Sequence, residues 1–155
     1  MSELPSIGDL AAPLLASVPE RQRPLLVALA ERIAARRYRD WAEAASGADR
    51  ERLLACADRE EEIARRVEAL FPDADAVQAE LGAKHPDLEA RYRDVFEGQS
   101  IAAQYAIQAQ GERLGADTWR ALAPGFDRPE AREALLECAQ LEEQNAQVLE
   151  SLSGE

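Results

Sequence analysis

Apolar positions recur along this chain at the three- and four-residue spacing of amphipathic helices. Four long stretches carry that spacing. The first is predicted to run from about Pro19 to Ala45, with Pro24 early, where a missing N–H is tolerated. Ser46-Gly47 reads as a tight turn. The second runs from about Asp49 to Phe71 and stops at Pro72. The third runs from about Asp87 to Leu114 and ends at Gly115. A loop with Trp119, Pro124 and Gly125 follows. Asp127 with Glu130 three residues later reads as a capping box opening the fourth, which extends to about Leu152. Ahead of all four, Ile7 to Val18 forms a short apolar segment broken by Pro13, a short helix or an arm.

Residues 50–70, RERLLACADREEEIARRVEAL, and 132–152, REALLECAQLEEQNAQVLESL, match at eleven of twenty-one positions at an offset of 82, with Cys56 aligned to Cys138. An internal repeat bounds the architecture. The expected layout is an N-terminal segment, 1–18, and a single four-helix domain, 19–152. Within it, repeat one spans about 19–71, a crossover linker 72–86, and repeat two about 87–152. The tight turn makes the first two helices antiparallel neighbours. The linker, at roughly 3.3 Å per extended residue, can span most of a bundle length. A long crossover would set the second and fourth helices antiparallel; a simple up-down-up-down order is the rival.

The apolar stripes contain carboxylates. On the second helix Leu53, Cys56, Ala57, Ala64, Val67 and Leu70 share a face, and Glu60 lies in its middle. On the fourth, Leu135, Cys138, Ala139, Ala146, Leu149 and Leu152 do the same around Glu142. Glu31 lies near the stripe of Val27, Ala34, Tyr38, Trp41 and Ala45 on the first helix. On the third, Val95, Ile101, Ala102, Tyr105 and Ala109 centre on Gly98, flanked by Glu97 and Gln99. That stripe aligns with the first helix through Tyr38 and Tyr105. Ionised carboxylates are costly in an interior unless paired, protonated or metal-bound. Two at equivalent positions suggest one shared site, filled by a metal-free polar cluster or by a cation.

The chain has 155 residues and a formal charge of −12. That charge opposes binding to nucleic acid or anionic lipid. No run reaches membrane-span length and no secretory pattern opens the chain, so a cytoplasmic protein with two buried thiols is expected. No nucleophile–base pair, phosphate-binding glycine loop or His/Cys metal spacing occurs.

The pattern of Glu31 with Tyr38, Glu60 and Glu142 resembles the ferritin-like superfamily, especially rubrerythrin-like and bacterioferritin-like bundles, over about residues 19–152. In those families two helices each give Glu and, seven residues on, Tyr; the other two each give Glu-x-x-His. Glu31, Tyr38, Glu60 and Glu142 match. Ile63 and Asn145 stand where the histidines belong, and Gly98 where the third helix should supply Glu; the one histidine, His85, lies in the linker. The resemblance implies an all-α ferritin-like four-helix bundle with a degenerate metal site. Its candidate ligands are Glu31, Glu60 and Glu142, with Gln99 and Asn145 nearby, and its occupant is nothing or a single iron or manganese ion.

Two functions follow as expectations. One is a non-catalytic binding or interaction protein, with a small-ligand or protein partner. The other is a carboxylate-bridged iron or manganese protein, an oxidase or metal store with a reduced ligand set. A second apolar face, Leu25, Leu26, Leu29 and Ile33 on the first helix and Tyr92, Phe96, Ile107 and Leu114 on the third, needs a cover. The N-terminal segment, the Trp119–Phe126 loop or a homodimer partner could supply it.

Overall fold

The computed structural model describes residues 3–154, so residues 1 and 2 of the expected N-terminal segment lie outside it. The described residues are all-helical: α1 Ile7–Ser17, α2 Arg23–Ala44, α3 Gly47–Glu68, α4 Ala74–Lys84, α5 Leu88–Phe96, α6 Ile101–Leu122 and α7 Pro129–Ser153, with single 3-10 turns at Glu20–Gln22 and Ala123–Gly125. No helix among them is long and apolar enough to cross a membrane.

Three expectations are corrected. The third helix, read as Asp87–Leu114, is two helices. Gly98 takes φ +76° in the turn between α5 and α6, and a Cβ there would meet nothing within 4 Å, so this glycine serves backbone conformation. Ser100 then caps α6 by accepting from the Ala103 N–H at 3.1 Å. Gly115 does not end α6, because Ala116 and Trp119 carry the buried face onward to Leu122. The crossover linker 72–86 is not extended chain; it holds α4, whose Ala74 and Leu81 pack into the core. The Asp127/Glu130 capping box does not form: Arg128 is the N-cap of α7, without a side-chain cap, and Pro129 opens the helix.

Cross-helix contacts give the directions of the four long helices. Between α2 and α3, Arg32 pairs with Glu68 and Arg39 with Glu61. Between α6 and α7, Arg113 pairs with Glu150 and Arg120 with Glu143. Between α3 and α7, Asn145 reaches the Cys56 carbonyl while Arg66 pairs with Glu137. Between α2 and α6, Trp41 meets Gln104 and Arg37 meets Gln108. In each set one number rises as the other falls, so every one of these pairs is antiparallel. Helices α3 and α6 therefore run the same way, and α4 and α5 form the passage that carries the chain back.

The core divides along the helix axes. Ile63, Trp119, Leu135 and Cys138 lie in one apolar cluster, and Tyr38, Trp41, Cys56, Ile107 and Leu149 in another. A third cluster joins Leu25, Leu26 and Ile33 of α2 to Leu14, Val18, Leu81, Leu88 and Tyr92. The second apolar face of α2 is thus covered by α1, α4 and α5. Leu54, Ile101, Leu114 and Leu136 remain exposed.

Candidate functional site

Glu31, Glu60 and Glu142 come together as the sequence suggests. All are buried, at 7%, 0% and 1% exposure, and each can place an oxygen within 4.8 Å of the others. A fourth carboxyl, absent from the sequence reading, joins them: Glu112 of α6, 1% exposed. It takes the place assigned to Gly98, which lies in the exposed turn before α6. Gln99 lies in that same turn, with its carbonyl bonded to Gln104, and does not reach the cluster. Glu97 is exposed there, and Tyr105 packs half-buried against the Trp41 ring.

A signal for Glu112 exists in the sequence, at an offset of 81 rather than 82. Glu31-Arg32 recurs as Glu112-Arg113, Tyr38-Arg39 as Trp119-Arg120. Aligning tyrosine with tyrosine hid it, because the aromatic counterpart of Tyr38 is a tryptophan.

Neutral donors hold three of the four carboxyls. The Tyr38 hydroxyl and Gln108 Nε2 donate to Glu112 Oε1 at 2.7 and 2.8 Å. Trp119 Nε1 donates to Glu142 Oε1 at 2.9 Å. Asn145 Nδ2 donates to Glu60 Oε1 at 2.9 Å. Asn145 is oriented on both sides: its Nδ2 also donates to the Cys56 carbonyl, and its Oδ1 accepts from Arg59 at 3.2 Å. Its oxygen therefore faces Arg59, and its nitrogen holds Glu60. Ile63 is fully buried in the apolar cluster beside the site. Gly115 makes room for Glu142: a Cβ there would sit 2.6 Å from Glu142 Oε1.

No ion pair among the described residues involves any of the four carboxyls; nearby arginines engage Glu61, Glu62, Glu68, Glu143 and Glu150 instead. For Glu31, Glu60 and Glu142 burial is the largest influence. It pushes the Glu31 carboxyl up to about 7; a hydrogen bond with Glu60 pulls it back and the Glu112 charge raises it again. Glu60 and Glu142 are held well above the ordinary carboxyl range, first by burial and then by the charges of the other glutamates. Glu31 lies within hydrogen-bond reach of Glu60 and Glu142, contacts that need a shared proton. Glu60 Oε2 is fully buried and receives no N–H or O–H from any described group.

The cysteines flank the cluster in different apolar regions, both free and fully buried. Burial raises each thiol to about 12, so neither is poised as a thiolate.

Comparison of the chain with protein-family models, with curated proteins and with solved structures returns no match.

Proposed function

We propose that α2, α3, α6 and α7 are a ferritin-like four-helix bundle built from two helix-pair repeats, and that its buried glutamate cluster binds a divalent cation, manganese or iron. The observation that carries this reading is Glu60 Oε2, a buried carboxylate oxygen without a donor, inside a four-carboxyl cluster that no cationic side chain neutralises. Such a cluster keeps its protons or takes up metal. The donors fit a hard cation: Glu31, Glu60 and Glu142, whose oxygens converge within 4.8 Å, would hold it with the Glu112 charge nearby, and an oxygen-only set without imidazole suits manganese or iron(II) over softer ions.

The chain's own residues set the site's character. Tyr38 and Gln108 hold Glu112, Trp119 holds Glu142, and Asn145 with Arg59 behind it holds Glu60. A bound manganese or iron ion would supply Lewis acidity and redox capacity. Without histidines at Ile63 and Asn145, the ligand set is reduced, which favours a cation-binding role over oxidase chemistry. The charge of −12 extends the reading to a cytoplasmic protein that avoids nucleic acid and membranes.

Elemental analysis of protein purified without chelator tests this, with Mn(II) titration followed by electron paramagnetic resonance. Near-stoichiometric metal, lost in the Glu60→Ala, Glu142→Ala variant, is expected. No metal after anaerobic loading with Fe(II) or Mn(II) sinks the reading.

A further inference from the structure

A cavity of about 190 Å³ lies between α1, α2, α5 and α6. For scale, an apolar cavity of about 150 Å³ accepts benzene. The walls are mainly apolar, with Leu14, Leu26, Val27, Ala30 and Leu88 among them, while Glu31, Glu112 and Glu142 line it as well. Gly111 lets α1 approach α6 beside it, since a Cβ there would lie 2.7 Å from Ile7 Cδ1.

Glu31 is the distinctive member of the lining. It is 7% exposed, it faces the cavity, and it alone of the four glutamates accepts no hydrogen bond from an amide, indole or hydroxyl of the described residues. Its partners within reach are other carboxyls, Glu60 and Glu142. Arg37 also borders the space, but its guanidinium lies 4.0 Å over the Phe96 ring, donates to Gln108, and forms no ion pair with Glu31. Gln108 and Thr118 donate to Glu112 and to the Leu114 carbonyl, so three carboxyls against one guanidinium leave the polar lining acidic, and the rest is greasy apart from the Tyr92 hydroxyl.

We infer that this cavity binds a short aliphatic amine, of about six to eight carbons by the benzene scale, with its ammonium group on Glu31 and its chain against Leu26, Ala30 and Leu88. An ammonium head supplies three donors and a positive charge to Glu31, in a lining where three carboxyls face one guanidinium. A carboxylate head would meet three glutamates and an Arg37 already engaged with Gln108 and the Phe96 ring. A neutral alcohol would supply one donor and no charge. This inference goes beyond the cation reading and shares one residue with it, so amine and metal compete for Glu31.

The test is calorimetric titration of metal-free protein with hexylamine, 1-hexanol, hexanoate and methylamine, repeated on Glu31→Gln and Ala30→Leu. Saturable hexylamine binding is expected, with hexanol and hexanoate weaker by about tenfold or more and methylamine undetectable. Ala30→Leu fills the cavity and should abolish hexylamine binding while keeping Mn(II) binding. Glu31→Gln should weaken hexylamine by about tenfold or more. The ligand series on the unaltered protein does not depend on either variant folding. Absence of saturation, hexanol binding as tight as hexylamine, or hexylamine affinity unchanged in a folded Glu31→Gln variant would each overturn the inference. Hexylamine binding without Mn(II) binding would sink only the cation reading; Mn(II) binding without hexylamine binding would sink only this one.

Discussion

Gly115 holds open the space that Glu142 occupies: a single methyl group there would come within 2.6 Å of Glu142 Oε1. Helix propensity alone would make alanine the better residue at this mid-helix position by roughly 1 kcal/mol. Overpacking costs about 1–3 kcal/mol, and Glu142 Oε1, the atom a methyl would meet, is held by Trp119 one turn further along α6. Gly115→Ala is therefore expected to destabilise the protein by up to about 2 kcal/mol net and to weaken Mn(II) binding. Urea unfolding checks it; stabilisation by the propensity increment would show that Glu142 moves aside freely.

The glutamate cluster sets an unusual pH dependence in the metal-free protein. Carboxyls raised by folding stabilise when protonated, so their contribution is complete below the unfolded value near 4.5. It is lost as pH rises through about 7 for Glu31 and through the likewise raised values of Glu60 and Glu142. The slope approaches about 1.4 kcal/mol per pH unit for each group titrating. Surface carboxyls such as Glu68, which Arg32 holds low against the opposing effect of burial, act oppositely and lose their contribution only on acidification. Denaturant midpoints should fall steadily from pH 5 to pH 8 without metal and flatten when Mn(II) is bound. A midpoint constant over that range would remove the buried-carboxyl account.

Glu60→Gln separates charge from shape. The substitution keeps volume, removes the ionisable group, and places an amide donor beside Glu31. At pH 8 the metal-free variant is expected to unfold later than the parent, by about 1–3 kcal/mol, while the stabilisation that Mn(II) confers on the parent disappears. Thermal melts with and without Mn(II) measure both effects. A variant less stable than the parent at pH 8 would mean that the Glu60 charge is already neutralised in the metal-free state.

Cys56 and Cys138 should behave as buried apolar groups. Both are fully buried with thiols raised to about 12, so a thiol reagent at pH 8 is expected to titrate neither in the native protein and both after unfolding. Rapid native reaction at either position would reveal local opening of α3 or α7 against the rest.

The periodicity of the chain discloses most of the helices because each long one buries a face without interruption. It also discloses Glu60 and Glu142, whose neighbours one turn away on either side are apolar. Two features escaped it. An apolar stripe continues through Val95 and Ile101 as though the helix did, but the left-handed backbone of Gly98 resets the phase, so positions on either side do not share a face. The offset between matching halves also changes from 81 before the hairpin turns to 82 after them: Glu31 and Glu60 are 29 apart, Glu112 and Glu142 are 30. A search at one fixed offset finds the second helix of each pair and loses Glu112. Orientation was out of reach as well, since Asn145 presents its amide nitrogen to Glu60 only because Arg59 and the Cys56 carbonyl take its other valences.

The arginine pairs within each hairpin have a consequence for how the molecule assembles. Arg32–Glu68 and Arg39–Glu61 close one hairpin, Arg113–Glu150 and Arg120–Glu143 the other, each over a short stretch of chain. Local contacts form early because little loop entropy opposes them. The four glutamates meet only when the hairpins dock, after the longer passage through α4 and α5 has closed. Repulsion within each pair, Glu31 with Glu60 and Glu112 with Glu142, is met as each hairpin closes, and docking adds the repulsion between the pairs. Alkaline conditions should slow docking of preformed hairpins, and a cation present during folding should act as the clasp that joins them.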